Sequence, residues 1–138
     1  MASLVVRFRI DFGEHSSVGP GKISLLEAIR VAGSLSKGAR NIGMSYRRAW
    51  LLVESLNQSF RKPVTVASKG GKDGGGMLVT EFGEALIKEY RELERDFATM
   101  AERRLQLITV RAIRRSKSGV KLSPGAPRRA RSLVRKPR

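Results

Sequence analysis

Between Pro63 and Thr80 the chain reads Val-Thr-Val-Ala-Ser-Lys-Gly-Gly-Lys-Asp-Gly-Gly-Gly-Met-Leu-Val-Thr. The chemistry that suits such a stretch is contact with phosphate. Lys69 and Lys72 supply positive charge, and Gly70, Gly71, Gly74, Gly75 and Gly76 let the backbone turn through positive φ and approach another surface closely. A nucleotide-cradling loop is excluded by spacing. It would need Gly five residues before the Gly71-Lys72 pair and Ser or Thr after it, where Val66 and Asp73 stand. The flanking runs are both strand-like, so the segment joins strand to strand and reads as the wing of a winged helix.

A second group lies upstream at Ser45, Tyr46, Arg47 and Arg48. At the first turn of a helix these side chains can face base edges, and a guanidinium pairs in bidentate fashion with guanine O6 and N7. The bland alternative is a solvated basic face; the preceding Ala39-x-x-x-Gly43 spacing and the following wing favour base reading. Tyr46 can pack on a neighbouring helix or reach a phosphate. Ser34, Ser36 and Lys37 belong to the helix before, which would cross the phosphate backbone and anchor there. Trp50, the only tryptophan, shares a helical stripe with Ala49 and Val53 and is expected in the core rather than stacked on a base.

Catalysis finds no foothold. The chain has no cysteine and one histidine, His15, which leaves no nucleophile and base of the usual kind, no metal set and no cofactor site. Glu81, Glu84, Glu89, Glu92, Glu94 and Asp96 lie along one helical pattern and read as solvated partners of Lys88, Arg91 and Arg95. No catalytic or metal-binding residue is therefore expected.

The 138 residues carry a formal charge of +16, spread unevenly. Residues 1–110 hold 17 Lys/Arg against 12 Asp/Glu, whereas residues 111–138 hold 11 Lys/Arg and no acid. This divides the chain into a DNA-binding and dimerisation domain, 1–110, and a basic tail, 111–138, expected to be disordered or partly helical. A basic tail implies a polyanionic partner without sequence information, or serves solubility. No apolar run approaches the roughly 18 residues of a membrane span, and the start lacks the order of a signal peptide. A cytoplasmic protein with no membrane partner is expected.

The elements that must position these groups follow from periodicity. Val6, Phe8, Ile10 and Phe12 alternate with Arg7, Arg9 and Asp11 in an amphipathic strand. Gly13 to Lys22 is a loop, and Ile23 opens a helix closed by Gly33. Ser34 or Ser36 caps the next helix, Gly43 is the turn, and Ser45 caps a helix over Tyr46 to about Phe60. Thr80 caps a last pattern of nearly thirty residues through Leu86, Ile87, Tyr90, Leu93, Phe97, Met100, Leu105 and Ile108. That stripe exceeds what a small domain covers, so a second copy is expected on Leu86, Tyr90, Leu93, Phe97 and Met100. The fold class is mainly α: a winged helix-turn-helix with an N-terminal strand, a two-stranded wing and a long dimerisation helix. The function expected is a homodimeric, sequence-specific binder of double-stranded DNA; the alternative is a non-specific nucleoid-type or RNA-binding protein.

Three stretches also carry a resemblance: Ile23-Ser-Leu-Leu-Glu-Ala-Ile; Gly33-Ser-Leu-Ser-Lys-Gly-Ala-Arg-Asn-Ile-Gly-Met-Ser-Tyr-Arg-Arg-Ala-Trp50; and Asn57 with the Gly-Gly-Lys-x-Gly-Gly-Gly segment ending Leu-Val-Thr-x-Phe-Gly. Together they closely resemble the N-terminal DNA-binding domain of the molybdate-responsive ModE regulators, itself similar to the LysR-type winged helix, over about residues 4 to 105. The resemblance implies a transcriptional regulator that dimerises through its first strand and long last helix. It places two reading helices in successive major grooves. Members of that family continue into molybdate-binding domains of small β-barrel type. The basic tail stands in their place here, so no molybdate-binding domain is expected in this chain and molybdate sensing is not carried over.

Overall fold

The computed structural model describes residues 4–69 and 75–117, with side chains as far as 108. Among them are four helices and two small antiparallel sheets. Gly70, Gly71 and Lys72 of the glycine-rich tip lie outside the described residues, as do residues 118–138.

The N-terminal alternation is real, but little of it is hydrogen-bonded as strand. From Leu4 to Asp11 the residues are in turn half-buried and exposed. Only β1 (Ile10–Asp11) pairs within the chain, with β2 (Ser17–Val18), in the register Ile10↔Val18 and Asp11↔Ser17. Period two thus identified an extended face, while the return at Gly13, φ 77°, decided how much of it meets a partner. Phe12 ends outside the buried face, though its ring meets Phe60 edge-on at 5.5 Å.

Helix α1 (Pro20–Ala32) starts three residues before Ile23, because proline at the first helical position loses no hydrogen bond the helix needs. Gly33 closes it in the left-handed region, φ 77°, its N–H donating to the Ile29 carbonyl at 2.8 Å. Helix α2 (Leu35–Asn41) is capped by Ser34 rather than Ser36. It packs so tightly on α1 that a Cβ at Gly38 would come 3.0 Å from the Ile29 nitrogen. Helix α3 (Tyr46–Ser59) follows, then a hairpin of β3 (Thr65–Ser68) and β4 (Gly76–Val79) with Val66↔Leu78 paired. Helix α4 (Glu81–Lys117) is longer than its apolar period outlined and passes the expected boundary at 110. Its backbone kinks at Leu105, φ −109° and ψ 17°.

Two apolar clusters hold these elements together. Val18, Ile23, Leu26, Leu56, Val64, Ile87 and Tyr90 form one; Leu25, Ile29, Leu35, Ala39, Ala49 and Val53 form the other, between α1, α2 and α3. Neither contains Trp50, which is 46% exposed. The expectation of a core tryptophan is corrected: Ala49, Val53 and Leu56 suffice to define the buried stripe of α3, and Trp50 lies beside it. Tyr90 needs correction too. Its period set it on a partner-facing stripe, yet it is 2% exposed inside the chain. Its hydroxyl donates to the Phe8 carbonyl at 2.7 Å, and its ring stacks on Phe8 at 4.5 Å. Leu86 likewise packs against this core.

Candidate nucleic-acid interface

The corner between α2 and α3 is built from backbone rules. The Ser34 hydroxyl accepts from the Lys37 N–H at 3.1 Å, satisfying one of the donors a helix start leaves open. At the other end Gly43, φ 68°, takes a conformation that costs a side-chain-bearing residue energy. The Met44 N–H donates back to the Ala39 carbonyl at 2.9 Å. The Ser45 hydroxyl then accepts from the Arg48 N–H at 3.2 Å. That cap fixes where α3 begins, and so where Tyr46, Arg47 and Arg48 stand.

All three are exposed, Tyr46 by 58%, which removes the option that it packs on a neighbouring helix. Among the described residues no carboxylate or hydrogen-bond acceptor engages the guanidinium of Arg47 or of Arg48. Other arginines are engaged. Arg30 meets Glu84 at 2.6 Å, and Arg91 grips Glu27 through two contacts of 2.6 and 3.0 Å while also reaching Glu94 at 2.7 Å. The hydrogen bond from Arg91 holds the Glu27 carboxyl below its ordinary range, and Glu27 in return raises Arg91. The acids of α4 are therefore only partly solvated partners of their own helix: Glu94 pairs within α4, whereas Glu84 with Arg30, and Glu27 with Arg91, fasten α1 to α4.

Ser36 and Lys37 are exposed on α2, Ser36 accepting a long 3.5 Å contact from Arg40. Lys69 is exposed at the end of β3. The hairpin is braced at three points. The Asn57 side-chain oxygen accepts from the Val64 and Thr65 N–H groups at 2.8 and 3.3 Å, and its amide donates to the Thr65 hydroxyl at 3.1 Å. The Met77 N–H donates to the Gly33 carbonyl at 2.9 Å. The Thr80 hydroxyl donates to the Pro63 carbonyl at 2.7 Å and accepts from the Gly83 N–H at 3.0 Å. Sequence reasoning assigned no task to Asn57. Its signal was an amide side chain in the last turns of a helix ahead of a chain reversal, where backbone donors need partners. Trp50, Leu35, Val53, Asn57 and Met77 border a shallow cleft between α3 and the hairpin, and Val66 and Leu78 form an exposed apolar pair across the strands. Periodicity pointed to neither.

Among the described residues no cluster of three or more His, Asp or Glu side chains could hold a metal, and no helix is long and apolar enough to cross a membrane. Lys22 is put to structural use, donating to the Ser17 carbonyl at 2.7 Å and the Ser55 hydroxyl at 3.1 Å; burial, then Arg9, pushes its ammonium below the usual lysine value.

No known protein-family model matches the chain. Individual proteins do. The molybdenum-pterin-binding protein MopB of Rhodobacter capsulatus is 41% identical over 83 residues, 60% of this chain and 31% of that protein. The DNA-binding transcriptional dual regulator ModE of Escherichia coli (strain K12) is 41% identical over 71 residues, 51% of this chain and 27% of that one. The molybdenum transport protein ModE of Azotobacter vinelandii is 30% identical over 99 residues, 72% and 37% respectively. The chain thus spans roughly a third of the length of these relatives. The chain is homologous, at 30–46% identity over about half or more of its own length, to ModE regulators and to molybdenum-pterin-binding proteins alike.

Proposed function

We propose that this protein is a homodimeric transcriptional regulator that reads double-stranded DNA by sequence, with α2 and α3 as a helix-turn-helix and β3–β4 as its wing. The observation that carries the proposal is the pair Arg47 and Arg48. They are exposed and, among the described residues, without an ion-pair partner, at a first helical turn whose start is fixed by Gly43 and Ser45. In the major groove that turn faces base edges. Ser45 and Tyr46 flank the arginines, Ser34, Ser36 and Lys37 contact phosphate from α2, and Lys69, Gly70, Gly71 and Lys72 do so from the wing. Relatives named as DNA-binding regulators support the reading. It belongs in a bacterial cytoplasm, and it calls on no catalytic group and no cofactor.

Dimerisation is proposed through the part of α4 that leaves the core. Phe97, Met100 and Ile108 are exposed there, and Leu93 is half-buried. Backbone at Leu4–Arg9, extended and outside both sheets, offers an edge for the partner. The domain so proposed is 1–110, and the basic run 111–138 begins within α4, whose backbone continues to Lys117.

The test is a selection of genomic fragments on the purified protein, followed by affinity measurements on the selected duplex and a scrambled one. Arg47→Ala or Arg48→Ala is expected to cost about 1–3 kcal/mol on the selected duplex and little on the scrambled one. Equal losses on both would overturn base reading and leave a non-specific nucleic-acid binder.

A further inference from the structure

Leu51 stands in the first half of α3, 49% exposed, and belongs neither to the two apolar clusters nor to the residues packed against them. It does not border the cleft under the hairpin either. The helix buries Ala49, Val53 and Leu56. At 3.6 residues per turn, Arg47, Leu51 and Gln58 share the opposite side, and all three are exposed.

A lone leucine on a protein surface requires no explanation in itself. The place of this one supplies an explanation. Helical side chains lean toward the N-terminus, so Leu51 covers the turn that carries Arg47 and Arg48. Among the described residues no acid engages either guanidinium. An apolar group set beside exposed cations suits a polyanion that also offers apolar spots. The major groove of DNA is such a surface, and its methyl groups are those on C5 of thymine.

We infer that Leu51 is a further specificity-determining residue, its isobutyl group packing against the C5-methyl of a thymine close to the base contacted by Arg47. The inference rests on the proposed reading of duplex DNA by α3. Leucine neither donates nor accepts a hydrogen bond. Set against the exocyclic amine of cytosine or adenine, or the two acceptors of guanine, it would strip water from a polar edge and return no partner. Thymine alone gains an apolar contact. Four residues of helix advance about 6 Å, and base pairs stack about 3.4 Å apart, so the thymine lies within about two base pairs of the guanine met by Arg47.

The experiment titrates the full chain with the duplex selected from genomic fragments, and with versions in which deoxyuridine replaces each thymine in turn. Uracil keeps every hydrogen-bonding group of thymine and lacks the methyl. For the unaltered protein, replacement of one thymine in each half-site is expected to weaken binding about fourfold, the effect of one buried methyl group. Leu51→Ala should bind the unmodified duplex at least about fourfold more weakly. It should also be indifferent to that uracil, since the cycle of the two changes isolates the contact. Its thermal unfolding should stay close to the parent's, because the side chain lies outside both clusters. Equal uracil losses in the variant and the parent overturn the contact, as does a parent indifferent to every uracil. A change in sedimentation on Leu51→Ala would move the side chain to a contact between copies and overturn it as well. Arg47→Ala separates the failures. A preference for the selected duplex that falls with Arg47→Ala while every uracil is harmless leaves DNA reading standing without Leu51, whereas a parent with no preference brings down both.

Discussion

Three residues show how unevenly the fold is constrained. A Cβ at Gly83 would collide with the Val64 carbonyl and come 2.7 Å from the Val79 Cγ1, so Gly83→Ala should destabilise the protein despite alanine's better helix propensity. Gly21, in the first turn of α1, has nothing within 4 Å of its would-be Cβ. Gly21→Ala should stabilise by about 0.4–1 kcal/mol. Thermal unfolding of the two variants checks both signs, and a rise in Tm for Gly83→Ala would contradict the packing argument. Asn57→Ala removes the acceptor of two backbone N–H groups and should cost about 1–3 kcal/mol. Amide exchange at Val64 and Thr65 should accelerate first, because the remaining hairpin contacts at Met77 and Thr80 do not involve Asn57.

At the scale of elements, sequence made the ends more legible than the faces. Gly33, Ser34, Gly43, Ser45 and Thr80 each satisfy a backbone demand that a helix end imposes, and each stands where that demand predicts. Trp50 was misplaced because a stripe read from one helix does not say how wide a neighbour will cover it. Tyr90 was misplaced for the converse reason: a stripe shared by core and partner has no internal mark dividing them, and only the Phe8 carbonyl and ring supplied it. The Glu27–Arg91 brace, which joins residues 64 apart, has no local signature. It does have a pH signature. Glu27 titrates below its ordinary 4.5 when folded, so the brace contributes fully above that value and loses its contribution as pH falls through the folded value. Urea midpoints should therefore drop between pH 5 and pH 3. Glu27→Gln should be less stable at pH 7 and fall less steeply over that interval.

For the whole molecule the question is what covers the outer half of α4. Burying a side chain such as Phe97 or Met100 is worth about 1.5–3 kcal/mol, and the two lie 36% and 42% exposed. Phe97 also meets Phe8 edge-on at 4.9 Å, so charging it would disturb the N-terminal segment as well as a partner. Met100→Glu isolates the partner contact. Sedimentation at micromolar concentration should show a dimer for the parent protein and a monomer for the variant, which should lose specific binding while keeping Arg47 and Arg48. A monomeric parent would remove the case for two-fold pairing.

Trp50, half-exposed on the same helix as Arg47 and Arg48, the arginines proposed to read bases, also makes the molecule its own optical probe. It is the sole tryptophan, so indole emission reports from one place, four residues from Tyr46 and beside the cleft under the hairpin. Docking of α3 in a groove would strip water from that ring and quench it or shift its emission to the blue, with no dye attached and no second indole to subtract. Contact with phosphates that leaves α3 outside the groove would leave the spectrum still. One cuvette could then tell reading from holding.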